Sequence, residues 1–371
     1  MKKKTRLLGL VLLLLWGACG RNDRPPGAKS LFQEHSEAYL IKGLDRFYFS
    51  DNNHYYDLLN NKQKEIYTKL FTGMQSYAQE IKIPQAPIDE VSRIYHYILY
   101  DHPILFYVGA FEQITYTNTR DCTIKPQYYY AKTTVENYIE EIIILLEDFY
   151  QLTYETDYHI EKFFHDYCLE VVIYDSSSPI NAFNILGVIY EGKAVCEGIT
   201  KFMKLALDFY GVKNILAVGT ANDPVSRQYQ SHAWNIVYLQ ERPYHLDVTF
   251  DLTLTTNMKR YDYFNLNDHD IYKDHQMKYF KLVTSDIEDN YFYRHNLLID
   301  TYTEFEQYIV SQLQLGTKNF YFKINNESFS EMRLKKILDY TLDKYVEFFH
   351  QSVQLDTRYN ETQMVFELEF R

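Results

Sequence analysis

Past residue 35, apolar residues recur at helical spacing. Ile66, Leu70, Met74 and Tyr77 share one face, as do Val91, Ile94, Tyr95 and Ile98, and then Val135, Ile139, Ile142, Leu146 and Phe149. Positions three and four apart lie on one side of an α-helix, so each set predicts an amphipathic helix with that side inward. Pro103 closes the second helix, since proline cannot continue the backbone ladder. Residues 104–116, dense in aromatic and β-branched side chains, read as strand or extended chain. The pattern changes after about residue 155. A helix over 159–171 presents Ile160, Phe163, Phe164, Tyr167 and Cys168, a Ser-Ser-Ser-Pro loop follows, and 181–190 reads as a short apolar helix. The next helix begins at Cys196 and runs to Tyr210, where Gly211 stops it. Strand patterns come next, at 215–218, 233–239 and 244–250, the last two joined by a tight Gln-Glu-Arg-Pro turn. The tail predicts a helix over 302–313, a strand over 320–324, a long helix over 331–349 and a terminal pair of strands around 353–356 and 364–370.

These elements divide the chain into a mainly helical N-terminal domain (35–153), a central α+β domain (154–285) and a small α+β C-terminal module (286–371). What precedes them has another character. Lys2, Lys3, Lys4 and Arg6 form a basic head, an apolar run follows to Trp16, and Gly17 and Ala18 stand before Cys19. A charged head, a short apolar stretch and small residues make a secretory signal peptide over 1–18. The apolar run is shorter than the roughly 20 residues a membrane span needs. A cysteine directly after Gly-Ala resembles a bacterial lipobox, with Trp16 where that motif usually carries Leu. The resemblance implies lipidation of Cys19 as the mature N-terminus. Residues 19–34, polar with Pro and Gly, are then a tether, and the expected location is extracytoplasmic, held to the bacterial cell membrane by lipid alone.

Formal charge is −12. An acidic chain without a basic stripe argues against nucleic acid as a partner. Beyond Cys19 only Cys122, Cys168 and Cys196 remain. An odd count in an exported protein flags a reactive thiol, and so few cysteines give no disulfide framework. Cys168 lies on an apolar helix face and reads as buried and inert.

Cys196 is placed differently, at the start of a predicted helix in Glu-Gly-Lys-Ala-Val-Cys-Glu-Gly. There a thiol meets the positive end of the helix dipole and backbone N–H groups without helical partners, which favour thiolate and can hold an oxyanion. A thiol nucleophile needs a base, and the base an orienting group. His232 opens a strand in Ser-His-Ala-Trp-Asn, and Asp247 follows in Tyr-His-Leu-Asp-Val-Thr on the strand expected to pair with it. Adjacent antiparallel strands bring such residues together. Taken singly, His232 reads as a surface histidine and Asp247 as a strand-end acid; the ordering with Cys196 changes that. The cluster Asp268, His269, Asp270, Asp274 and His275 fits no metal-loop spacing and reads as a solvated loop and helix cap. No cofactor or metal is implied.

Residues 165–275 resemble the transglutaminase-like family, within the papain-like cysteine hydrolases. Four segments carry the resemblance in order: His165-Asp166-Tyr167 with Tyr174-Asp175; Gly192 to Gly198 around Cys196; Ser231 to Asn235 around His232; and Tyr244 to Asp251 around Asp247. Tyr263-Phe264-Asn265 and Asp274-His275 are similar to the bacterial extracytoplasmic members, and Tyr100 to Phe106 is similar to the helical region before the domain. Phe250 replaces the tryptophan common at its position. The resemblance implies an α+β core in which a helix bearing Cys196 packs on an antiparallel sheet bearing His232 and Asp247, with Cys196 as nucleophile, His232 as general base and Asp247 as its orienter. The expected activity is acyl transfer on peptide or amide bonds of a protein or peptide substrate. Water as acceptor gives a peptidase or amidase, and a lysine amine gives a cross-linking transglutaminase. An inert surface-binding module of the same fold is the alternative. Tyr190 and Asn184 are candidates to assist the oxyanion; His165 and Asp166 read as packing and capping residues, and Trp234 as core or cleft wall.

Overall fold

The computed structural model describes residues 44–47, 53–115, 120–150, 156–175, 177, 180–222, 228–325, 331–351 and 353–371. The expected signal peptide, Cys19 and the tether lie outside them. No described helix is long and apolar enough to cross a membrane.

The helical expectations hold closely: Asn61–Gln75, Ile88–Asp101, Lys132–Tyr150, Asp157–Val171, Cys196–Phe209, Tyr302–Gln314 and Glu331–Phe349 are α-helices. The N-terminal region contains more strand than its pattern suggested. β1 (Ile81–Pro84), β2 (Val108–Thr115) and β3 (Asp121–Tyr128) form an antiparallel sheet in the order β1-β3-β2. Along β2 buried and exposed positions do not alternate, so a period of two could not announce it. The 181–190 segment is not one α-helix either. A 3-10 turn (Asn181–Phe183) and a π-helical turn (Gly187–Glu191) flank Asn184. A two-residue parallel pair, β4 (Ile173–Tyr174) with β5 (Lys193–Ala194), then delivers the chain to Cys196.

The central sheet positions the site. β6 (Asn214–Asn222), β7 (Tyr229–Leu239), β8 (Arg242–Leu246) and β9 (His275–Met277) lie in the order β8-β7-β6-β9, antiparallel throughout. Gln240 and Glu241, both with positive φ, make the two-residue β7–β8 turn, whose twist suits a hairpin. At the other edge an added Cβ on Gly219 would lie 1.9 Å from the Gln276 carbonyl oxygen, so only glycine lets β9 pair there.

The Cys196–Phe209 helix runs through the interior: every residue from Gly198 to Phe209 is buried. Thr200 Oγ1 donates to the Ala233 carbonyl at 3.0 Å, and Asn235 Nδ2 donates to the Thr200 carbonyl at 3.1 Å, pinning the helix to β7 on either side of Trp234. One continuous apolar cluster extends from Leu44 through the N-terminal helices into this helix and sheet. Tyr55 crosses that boundary directly, its hydroxyl donating to the Leu216 carbonyl of β6, while Asp101 accepts from Tyr55 N, Tyr56 N and the Tyr67 hydroxyl. A second cluster fills the C-terminal module between its two helices and the sheet β10-β11-β13-β12 (Leu298–Ile299, Asn319–Ile324, Val365–Phe370 and Leu355–Asn360). Arg260, buried against Asp262 and Glu367, ties this module to the central region.

Candidate active site

His232 and Asp247 meet as the sequence suggested, but by another local route. β8 ends at Leu246, and Asp247 is the N-cap of a short helix, Val248–Leu254, rather than part of a strand. Its Oδ1 accepts from the backbone N–H groups of Thr249 at 3.0 Å and Phe250 at 3.2 Å. A capping carboxylate satisfies helix-start donors that would otherwise be orphaned, and it lies where the dipole favours negative charge. The same geometry aims the other oxygen: Oδ2 sits 2.6 Å from His232 Nε2. His165 braces this helix from behind, fully buried, with Asp251 Oδ2 at 3.1 Å and Asp166 Oδ1 at 3.0 Å.

Cys196 opens its helix with Val195 at the N-cap, and no side chain caps the first turn. Cys196 is partly exposed and its thiol is free, near enough to His232 to act on its charge. Nε2 is committed to Asp247, so Nδ1 is the ring nitrogen without that partner. Cys122 and Cys168 are buried and free, not paired; burial pushes the Cys168 thiol far up, as an inert core cysteine requires.

The electrostatics follow from that geometry. Burial of the His232 ring pulls its pKa down, but the charge and hydrogen bond of Asp247, with the neighbouring Cys196, outweigh it and raise it to about 10. Asp247 is likewise penalised by burial, yet His232 and His275 hold it well below the usual carboxylate range. His232 therefore stays imidazolium through neutral pH, with a proton it can donate. Because its folded-state pKa is raised, its contribution to stability is fully present below about pH 6.5 and disappears as pH rises to about 10. Any turnover that uses this proton is expected to fall over the same upper limb, as the imidazolium proton is lost; a rate that stays level to about pH 11 would show that His232 does not supply it.

Sequence reading missed one member of the group. His275 Nε2 lies 3.0 Å from Asp247 Oδ2, and its Nδ1 lies 2.5 Å from Asp274 Oδ1. Both residues are buried, which corrects their reading as part of a solvated loop. The rest of that cluster divides: Asp268 accepts from Thr284 and faces His245, Asp270 pairs with Lys273 and Lys323, and Asn267 caps the Asp268–Ile271 turn. Asp274-His275 was present in the sequence as a signal, but β9 is only three residues long and has no periodicity to place it. The facing atoms of His232, Asp247 and His275 lie within 4.8 Å of one another. Their separations of 2.6 and 3.0 Å are hydrogen-bond lengths around one shared acceptor.

The upstream oxyanion candidates are occupied elsewhere. Asn184 holds its own loop, accepting from Leu186 N and donating to the Ile180 carbonyl, and Tyr190 donates to Glu141. Trp234 is core, its indole N–H donating to His245 Nδ1 at 3.0 Å. That leaves the first-turn backbone of the Cys196 helix as the donor set. Beside it opens a cleft of about 450 Å³, walled by Tyr95, Phe106, Phe111, Tyr129, Ile180 and Phe183 and floored by Glu197 and Lys201. Cys196 does not line the cleft; its neighbour Glu197 does.

No family model matches the chain, and no curated protein matches it. Among solved structures it is similar to a "putative cysteine protease" from Cytophaga hutchinsonii, at 13% identity and a TM-score of 0.24, covering 38% of this chain and 61% of that one. It is also similar to a TGase, at 14% identity and a TM-score of 0.26, covering 49% and 53%. The chain thus spans about half to three-fifths of the length of those proteins. At such TM-scores neither likeness carries weight, and the chemistry is read from the site's own geometry.

Proposed function

We propose that this chain is a thiol-dependent acyl-transfer enzyme acting on peptide or amide bonds, with Cys196 as nucleophile, His232 as general acid and base, and Asp247 as its orienter. One observation carries the proposal: the His232 ring is held by a buried carboxylate and interacts with Cys196, a partly exposed cysteine at a helix start without a side-chain cap. Attack by the thiolate forms a thioester, the helix-start N–H groups hold the oxyanion, and His232 protonates the departing amine. Transfer to water then regenerates the thiol. The aromatic cleft beside the helix start suits an apolar or aromatic side chain next to the scissile bond.

The test is a peptidyl acyloxymethyl ketone carrying an aromatic residue, followed by mass spectrometry of the labelled protein. Among the described cysteines labelling is expected at Cys196 alone, since Cys122 and Cys168 are buried. No labelling at neutral pH, with the protein folded, would remove the enzyme reading in favour of an inert binding module. Adding a primary-amine probe with a protein substrate separates the acceptors: incorporation identifies a transglutaminase, and release of free acid a hydrolase.

We also propose that the protein is extracytoplasmic and held by a lipid on Cys19. Wild-type protein is expected in the detergent phase of a cloud-point extraction and Cys19→Ala in the aqueous phase. Identical partitioning of the two would end this part of the proposal.

A further inference from the structure

Asp247 Oδ2 accepts two contacts, and only one belongs to His232. The other is His275 Nε2 at 3.0 Å, while Nδ1 of the same ring is anchored by Asp274 Oδ1 at 2.5 Å. Asp274 Oδ2 accepts in turn from the Tyr263 hydroxyl at 2.6 Å. Tyr263, Asp274, His275 and Asp247 are all buried. Phe250 packs its ring against both imidazoles, at centroid distances of 4.7 Å from His232 and 4.8 Å from His275. The carboxylate is therefore held by protein donors on both oxygens.

That matters for its freedom. The two cap bonds fix Oδ1, but a carboxylate held at one oxygen can still pivot about it. A second donor on Oδ2 removes the pivot. The chain invests in this contact: β9 is three residues long, and it reaches β6 only because Gly219 leaves room for the Gln276 carbonyl, which sets Ala221 opposite His275.

We propose that His275 is a positioning residue: it locks Asp247 Oδ2 where that oxygen orients His232 toward Cys196. The proposal rests on the Cys196–His232 pair being the reactive one. Second-sphere partners of this kind are familiar in metal sites, where their loss costs roughly 10–100-fold; here the group held is a carboxylate. The chain Tyr263–Asp274–His275 orients the orienter, and its members are buried and do not line the cleft.

Two near-isosteric variants test it. The amide nitrogen of Gln reaches about where Nε2 lies, and that of Asn about where Nδ1 lies. His275→Gln keeps a donor for Asp247 and loses the one facing Asp274, and His275→Asn does the reverse. The readout is the rate of iodoacetamide alkylation of Cys196 against pH, in the full chain, with thermal melting to establish that each variant is folded. In wild type the thiol is expected to react at pH 6 at least about tenfold faster than a model cysteine. His275→Asn is expected to slow that rate by roughly 10–100-fold. His275→Gln is expected to recover most of the loss at equal melting temperature.

Wild-type thiol no faster than the model cysteine would overturn both this proposal and the reactive pair beneath it. A fast wild type with His275→Asn unchanged would overturn the role of His275 alone. Should His275→Asn not fold, His275→Gln decides: a slowed rate despite its retained donor overturns the proposal, and a near wild-type rate supports it. Stoichiometric metal in the purified protein would also overturn it, because the trio would then be a ligand set.

Discussion

Cys196→Ala is expected to abolish turnover, with a loss of roughly 10⁴-fold or more, because among the described residues no other accessible cysteine can take its place. Cys122 and Cys168 are buried, and Cys168 faces the Met203 sulfur inside the core. The substitution should leave the fold alone. Cys196 is partly exposed, and its helix is held from Gly198 onward by burial along its whole length. A melting temperature close to wild type corresponds to a change within about 1 kcal/mol. The measurement pairs turnover on a labelled peptide with thermal unfolding. Retained turnover in a folded Cys196→Ala protein would make the acyl-enzyme mechanism untenable.

Asp247→Asn should be almost as damaging, for a reason peculiar to this site. Four donors converge on the carboxylate: Thr249 N and Phe250 N on Oδ1, and the His232 and His275 ring nitrogens on Oδ2. An amide offers one oxygen and one NH₂ group. Turned toward the cap, its oxygen keeps the helix start, and its NH₂ meets His232 Nε2. The imidazole proton is then forced onto Nδ1, and the base is lost. Turned the other way, the amide feeds the imidazoles and sets NH₂ against two backbone N–H groups. Either orientation fails. Loss of the charge also removes what holds the His232 pKa near 10. A fall in kcat of about 10²–10⁴-fold is expected, with a destabilisation of about 1–3 kcal/mol from the orphaned donors. Turnover within a few fold of wild type would show that the carboxylate does not orient His232.

Both predictions depend on the short helix after β8, which the pattern of residues concealed. Residues 244–250 alternate well enough to read as one strand, and tyrosine, valine and phenylalanine favour that state. The strand nevertheless stops at Leu246, since Asp247 offers the backbone a capping oxygen that competes with the ladder. That Asp247 meets His232 was therefore legible from its position after it, while its local setting was not. The same holds for the N-terminal region. Its long helices stand out because a repeated apolar face needs many residues to show. The sheet β1-β3-β2 does not, because short strands with uneven burial carry little periodic signal.

What the amino-acid sequence determined by itself was local and ordered: the helix that begins at Cys196, the strand bearing His232, the hairpin turn at Gln240 and Glu241, and an acid the right distance beyond. Helix starts, turns and amphipathic faces arise from neighbours along the chain, so neighbours suffice to reveal them. Only the tertiary structure decided which titratable groups share a hydrogen bond. His275 reaches Asp247 across 28 positions of chain, through a strand too short to recognise and a glycine at 219 whose missing Cβ leaves room for it. The aromatic cleft likewise joins residues from 95 to 201. Burial then converts those distances into chemistry, since a carboxylate shielded from water acts on its neighbours far more strongly than an exposed one.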